Sequence, residues 1–272
     1  MPRDEFPVSQ GLDRIAMLDR SIGASLERVW ENVLDWEHLP WLHRKDFASI
    51  DLIDAGAWGW RAMAELTAQP GTPFALELIV EPEHSRYVTR TLDGTSLVSE
   101  IWTGLSSIGP DRTDIQVEFW MPGVPESLRD RLGAGYLDLY GRLWSQDESM
   151  MSERSERLRE VPTEDQAGLK RLELGSFAEL SARLPVCIDL GGVRWRLVLL
   201  GDEIVAHDTR CPHALGPLSG EPSHPDRLEC PWHGYQFDIR TGRSSDGRRL
   251  RLRTPPRLVR SAQTDVVTLE LE

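Results

Sequence analysis

Two short stretches in the second half of the chain each pair a thiol with an imidazole. Cys211-Pro212-His213 is followed, sixteen residues on, by Cys230-Pro231-Trp232-His233-Gly234. Each stretch offers one soft thiolate and one imidazole nitrogen. That donor set suits a [2Fe–2S] cluster with one iron on Cys211 and Cys230 and the other on His213 and His233. A zinc site and a buried structural Cys/His group are the alternatives, although zinc fingers favour two Cys at one knuckle and two His at the other. Pro212, Gly216, Pro217, Pro231 and Gly234 permit the tight turns that would bring the two stretches together.

The first half holds a second set, in the run ENVLDWEHLPWLH with Asn32, Asp35, His38 and His43. Asp35 and His38 are three residues apart and share a helix face. His43 follows Pro40, which should end or kink a helix. Far downstream, Asp147 lies eleven, seven and four residues after Tyr136, Tyr140 and Leu143, so it continues an apolar helical stripe. A carboxylate on a buried face needs a partner or a metal. Two His and one carboxylate form a facial triad for non-haem Fe(II), with positions left open for oxygen and substrate. Asp138 and Glu148 are fallback carboxylates.

The elements that must position these groups are legible as patterns. Ser25 can cap a helix whose apolar positions recur at Leu26, Trp30, Val33 and Leu34. From residue 47 to about 121 the text reads as strands at 48–53, 58–66, 74–80, 87–92, 97–105 and 114–120, punctuated by Gly and Pro. A second helix starts near Pro125 with Leu128, Leu132, Tyr136, Leu139, Tyr140 and Leu143 as its stripe. Residues 152–168 are charged and poor in apolar side chains, so they read as the end of that helix plus a linker. Strands return at 169–174, 186–190, 195–200, 204–208 and 266–271. Two domains and a linker follow: 1–152 for substrate and catalysis, 153–168 as linker and 169–272 around the Cys/His stretches. Cys187 has no partner motif and is expected in a strand core.

The chain has 272 residues, 31 Lys plus Arg against 44 Asp plus Glu, and a formal net charge of -13. That balance argues against nucleic acid and anionic membrane as partners. No stretch approaches the ~20 apolar residues of a membrane span, and the first residues lack an apolar signal core. Three cysteines cannot build a disulfide framework, so a cytoplasmic location is expected. Ten tryptophans are many. Trp58, Trp60, Trp102, Trp120 and Trp144 fall in the first domain, some expected to line a cavity and most to be core. Arg61, Arg86 and Arg90 could bind a substrate carboxylate or lie on a solvated strand face. The run 243–253 holds five arginines, which could dock an acidic ferredoxin or form an ordinary polar hairpin.

From Leu169 to the C-terminus, including FDIRTG at 237–242, the chain closely resembles a Rieske domain. In respiratory Rieske proteins an extra disulfide and hydroxyl donors surround the cluster. The matching disulfide positions here are Gly216 and Trp232, and the donor positions are Tyr235 and Phe237. Phe237 has no donor to offer sulfur. The resemblance therefore implies a cluster potential near the low end of the Rieske range, about -150 mV rather than +300 mV.

The spacing N-x2-D-x2-H-x4-H resembles the mononuclear-iron motif of Rieske non-haem iron oxygenases, in their mono-oxygenase and demethylase branch. That resemblance implies His38, His43 and Asp147 as iron ligands. It makes Asp35 the bridge between an iron-ligand His and the cluster-ligand His233, and Asn32 a polar neighbour of the iron. From about residue 18 to 151 the chain also resembles the START-like helix-grip fold, whose metal-free members carry a similar Asp-x4-Pro-Trp stretch. The implied architecture is α+β: a helix-grip domain with an antiparallel sheet and long C-terminal helix, then an all-β Rieske domain. This order is the reverse of that in typical family members. The implied activity is O2-dependent hydroxylation or oxidative demethylation of an apolar or aromatic small molecule. A ferredoxin or flavin reductase would supply electrons, ultimately from NAD(P)H, and a homo-oligomer, a trimer in the family, is expected. The competing readings are an electron-transfer or redox-sensing protein with a ligand-binding first domain, and a subunit whose first domain only docks a partner enzyme.

Overall fold

A computed structural model describes residues 9–94, 96–160, 168–220 and 224–271. The chain divides into two compact units, 1–155 and 156–272. Of the expected linker, 153–168, residues 153–159 continue the long helix and 161–167 lie outside the described residues.

The first unit is built on one antiparallel sheet. Its strands are β1 (Leu12–Ile22), β2 (Phe47–Gly56), β3 (Gly59–Leu66), β4 (Phe74–Glu81), β5 (Arg86–Asp93), β6 (Ser96–Gly109) and β7 (Arg112–Pro122). The spatial order is β1-β7-β6-β5-β4-β3-β2, a meander from β2 to β7 with the first strand closing on the last. Six of these strands stand where period-2 alternation placed them. β1 did not register in the pattern, because a bulge between Arg14 and Ala16 shifts its pairing with β7 and breaks the alternation.

Three helices complete the unit: α1 (Leu26–Leu34), α2 (Leu39–Leu42) and α3 (Glu126–Arg159). Ser25 caps α1 as expected, its side chain accepting from the Arg28 N–H at 3.3 Å. Val29, Asn32 and Val33 form the buried face of α1, whereas Leu34, expected on the apolar stripe, is exposed. Pro40 does not end α1. That helix stops at Asp35, and Pro40 opens the single turn of α2, where its missing N–H costs nothing.

α3 packs against one face of the sheet. Tyr136 and Tyr140 meet Phe119 of β7 with ring centroids 5.2 and 4.8 Å apart. Near its start the helix comes so close to β1 that a Cβ on Gly133 would sit 2.6 Å from the Ile15 carbonyl oxygen. Only glycine allows that approach. Further along, Arg20 donates to the Gly141 carbonyl and pairs with Glu148. This sheet and long helix form the helix-grip architecture that the sequence implied.

Beyond the end of α3, the described residues of the second unit form strands and the single-turn helix α4 (Phe177–Ser181), closed by a capping box between Ser176 and Glu179. One three-stranded sheet pairs β9 (Val186–Leu190) and β11 (Glu203–Asp208) with the central β10 (Val193–Leu200). A second joins β8 (Arg171–Ser176), β14 (Arg257–Arg260) and β15 (Val266–Glu270). β12 (Arg227–Glu229) and β13 (Gln236–Asp238) make a small hairpin. Trp195, Leu197, Leu190, Leu180, Val267 and Leu269 form the core, and the Trp195 indole donates to the Leu190 carbonyl at 3.1 Å. Cys187 corrects its expectation. It lies in β9 but is exposed, opposite Arg196, because strand alternation turns it away from the face that buries Leu190.

Candidate metal centres

The carboxylate and both imidazoles of the first set converge. His38, His43 and Asp147 are all buried, and one ligand atom from each lies within 4.8 Å of the others. Nε2 of His43 is 3.0 Å from Asp147 Oδ1, and Nε2 of His38 is 3.5 Å from the same oxygen. The local chain explains this. α1 ends at Asp35, and the one-turn α2 separates the imidazoles, with His38 at its N-cap and His43 at its C-cap. Asp147 reaches the same point from the buried face of α3, beside Trp144 and Met151. The fallback carboxylates point elsewhere: Asp138 pairs with Arg142, and Glu148 with Arg20 and the Gly23 N–H.

Around the triad, Asn32 Nδ2 donates to Asp147 Oδ1 at 3.1 Å. Asp35 Oδ2 lies 3.9 Å from His38 Nδ1. Gln146 is a residue the sequence patterns missed: its Oε1 is 2.7 Å from His43 Nδ1. Both ring nitrogens of His43 thus face acceptor oxygens. Burial opposes a charge on this ring, yet the hydrogen bond and charge of Asp147, helped by Gln146, raise its pKa above the ordinary value. With Nδ1–H given to Gln146, the Nε2 lone pair is left pointing at a carboxylate. A cation between Nε2 and Asp147 relieves that opposition, and Nδ1–H donation to an outer acceptor is how metal-binding imidazoles are oriented. The donor set therefore fits a divalent iron.

The triad closes one end of a cavity of about 780 Å³ between the sheet and α3. That size is ordinary for a small-molecule site. Its walls are mainly apolar and aromatic, among them Trp60, Leu76, Leu78, Tyr87, Tyr140 and Trp144. Trp60 and Trp144 are thus both core and cavity wall, as expected. Trp102 is buried on the other side of the sheet beneath Arg86, and Trp58 is partly exposed rather than core. Arg61, Arg86 and Arg90 do not enter the cavity; each pairs with a glutamate of the sheet, Glu77, Glu81 and Glu100 respectively.

In the second unit, the two Cys/His stretches also come together. The thiols of Cys211 and Cys230 are fully buried and hydrogen-bonded to each other. The rings of His213 and His233 are 4.6 Å apart. Each loop is pinned by its own backbone. Cys211 N donates to the Gly216 carbonyl at 2.8 Å, and Cys230 N to the Tyr235 carbonyl at 2.9 Å. The N–H groups of His213 and Ala214 point at the Cys211 sulfur and that of Trp232 at the Cys230 sulfur. Cys230 is held toward the thiolate by its bond to Cys211, with help from His233 and the Trp232 N–H, while Cys211 is correspondingly raised. At Gly216 a Cβ would lie 2.5 Å from the Cys230 sulfur, so the fold leaves space at that sulfur that any side chain would fill. Two thiols and two imidazoles, one of each from either loop, are the donor set of a two-iron cluster.

The Tyr235 ring stacks on His213 at 4.4 Å, and the Arg248 guanidinium lies 3.9 Å from the Tyr235 centroid. Phe237 is completely buried. The arginine run forms a hairpin in which Arg243 bridges Arg251, with Arg243, Arg248, Arg249, Arg251 and Arg253 exposed. Arg248 is also paired with Asp246 at 3.1 Å.

Comparison with known proteins assigns the second unit. A family model described as the Rieske [2Fe-2S] domain matches residues 170–256. A relative, the methylxanthine N1-demethylase NdmA of Pseudomonas putida, is 39% identical over 54 residues. That match covers 20% of this chain and 15% of the relative. Among solved structures, a START superfamily protein from Mycobacterium smegmatis is 18% identical, covers 50% of this chain and 97% of its own, and has a TM-score of 0.39. Norcoclaurine synthase from Thalictrum flavum, in complex with dopamine and hydroxybenzaldehyde, is 16% identical, with coverage of 52% and 87% and a TM-score of 0.40. Among the described residues no helix is long and apolar enough to cross a membrane.

Proposed function

We propose that this chain, whose second unit is a Rieske [2Fe–2S] domain, is the oxygenase component of a Rieske-type system, with its reaction centre in the first unit. The convergence of His38, His43 and Asp147 on one buried point at the end of an apolar cavity carries this reading. In that chamber a bound ferrous ion would supply O2 activation, and the cluster would deliver electrons one at a time. The chain's own residues do the rest. His38, His43 and Asp147 occupy one face of the site and leave the cavity side open for oxygen and substrate. Asn32 holds the Asp147 carboxylate, and Gln146 fixes the tautomer of His43. The apolar walls keep water from the reacting atoms. Asp35, beside His38, is the residue on the iron side that would receive electrons from the cluster. Cys211, His213, Cys230 and His233 hold the cluster.

The reaction class is hydroxylation or oxidative demethylation of an apolar, in part aromatic, small molecule. One substrate C–H bond gains oxygen and the second oxygen atom leaves as water, with two electrons from a ferredoxin or flavin reductase and two protons from solvent. Likeness to a methylxanthine demethylase supports demethylation as one outcome. The lack of a hydroxyl at Phe237 supports a midpoint potential toward the low end of the Rieske range.

A second reading is a Rieske electron carrier fused to a ligand-binding module. It is favoured by the bonds that Asn32, His43 and Asp147 already make to one another. Iron quantitation separates the two. The oxygenase holds three irons per chain, and the His38→Ala/His43→Ala double variant holds two with an unchanged EPR spectrum of the reduced cluster. Two irons in the unaltered chain would leave only the carrier.

A further inference from the structure

We infer that the cavity of the first unit takes elongated neutral or cationic ligands and turns away carboxylates, with Asp93 at its outer end setting that preference. This rests on the reading of the cavity as the substrate chamber, and it adds the charge class of the substrate.

The described residues lining the cavity include three carboxylates, Asp35, Asp93 and Asp147, and no lysine or arginine. The arginines that the strands could have contributed face the other way. Arg61 follows Trp60 in β3, and Arg86 and Arg90 flank Tyr87 and Thr89 in β5. Trp60, Tyr87 and Thr89 line the cavity, so alternation sends their arginine neighbours through the opposite face. There each is held by a glutamate: Arg61 by Glu77, Arg86 by Glu81, and Arg90 by Glu100 at 2.8 Å. Bringing one inward would require a one-residue slip of its strand, which would also expel the wall it alternates with.

β5 also gives the chamber its length and polarity. Tyr87, Thr89, Thr91 and Asp93 occupy its cavity face in succession. At ~3.3 Å per residue, Asp93 is about 20 Å along the strand from Tyr87. Tyr87 marks the triad end, close enough for the charge of Asp147 to act on its phenol. Asp93 is exposed and marks the mouth. The chamber is thus long, with the triad at its inner end, Asp93 at its mouth and the hydroxyls of β5 along one wall. At the mouth an entering carboxylate gives up hydration and meets the like charge of Asp93, with no lysine or arginine among the described lining residues to offset it, whereas an ammonium finds a partner at Asp93 and a neutral hydroxyl is indifferent to it.

Three probes of one shape test this: 2-naphthylmethylamine, 2-naphthalenemethanol and 2-naphthoate. They are titrated calorimetrically into the full-length chain, oxidised and without an electron donor. The amine and the alcohol are expected to saturate one site, with the carboxylate roughly tenfold weaker than the alcohol or more. Asp93→Lys should swing the amine-to-carboxylate ratio by roughly tenfold toward the carboxylate and leave the alcohol unchanged. A carboxylate that binds as tightly as the alcohol, a ratio indifferent to Asp93→Lys, or no binding by any probe would overturn the inference. Turnover is not read, so a chain that holds two irons and oxidises nothing would still give these ratios.

Discussion

The two candidate centres use similar donors and opposite construction. The cluster ligands come from two loops nineteen residues apart in sequence, Cys211 to Cys230, each pinned by its own backbone hydrogen bonds. The triad draws together residues 104 apart, His43 and Asp147, and their meeting depends on how α3 crosses the sheet. The difference shows in what each site needs to stand. In the first unit a continuous apolar cluster from α1, the sheet and α3 surrounds the triad, and Asn32, His43 and Asp147 satisfy one another. In the second unit two thiols are 0% and 1% exposed at the point where the loops converge, held by each other and by groups of the same two loops. A site on a prebuilt scaffold can lose its metal and keep its shape; a site made of loops shares its stability with the metal.

The sharpest way to break this contrast is at Gly216. A Cβ there would lie 2.5 Å from the Cys230 sulfur unless the loop shifts, so Gly216→Ala should lower the iron content and the visible absorbance of the cluster. A variant that keeps full absorbance would mean the loops have slack they are not credited with. Next in size is Asp35→Asn. Both centres should stay filled by iron analysis and EPR, while single-turnover product formation slows by roughly 10–100-fold, as for other residues that act on a ligand from behind. Gln146→Leu removes the acceptor at His43 Nδ1. It should weaken iron at the triad by roughly tenfold in competition with a chelator and leave the cluster spectrum unchanged.

The smallest effect concerns the scaffold alone. Glu100 is fully buried. Burial works against its charge, but bonds from Ser9, Trp102 and Arg90 outweigh that and hold its pKa below the ordinary carboxylate value. A depressed folded-state pKa means that its stabilisation is present above the unfolded value, near 4.3, and is lost as pH falls through the folded one. Glu100→Gln should therefore lower the stability of the first unit at neutral pH by roughly 2 kcal/mol. In thermal melts that is a shift of about 5 °C, narrowing below about pH 4.

Legibility followed the same division. The Cys/His loops were readable because their spacing is local: each turn is a few residues long, and Pro and Gly announce it. The triad was readable as candidates, since Asp147 stood on an apolar helical stripe where a lone carboxylate is costly. Its companion Gln146 carried no signal, because one residue off that stripe reads as an ordinary polar position. Cys187 was misplaced even though a signal was there. It shares a face of its strand with Asp189, while Val186, Ile188 and Leu190 take the covered face, a pattern that alternation already carried. β1 escaped notice because one bulged residue breaks the period that betrays a strand.

The sequence by itself determined the donor chemistry, the two-part organisation and the run of strands and helices, since these follow from residue type and short-range periodicity. Tertiary structure alone decided that Pro40 opens a turn between two histidines, that Asp147 rather than Asp138 or Glu148 reaches them, and that three arginines leave the cavity acidic. Each of those outcomes depends on the angle and register at which distant segments meet. That is set by packing the whole core at once, and no local window of the chain contains it.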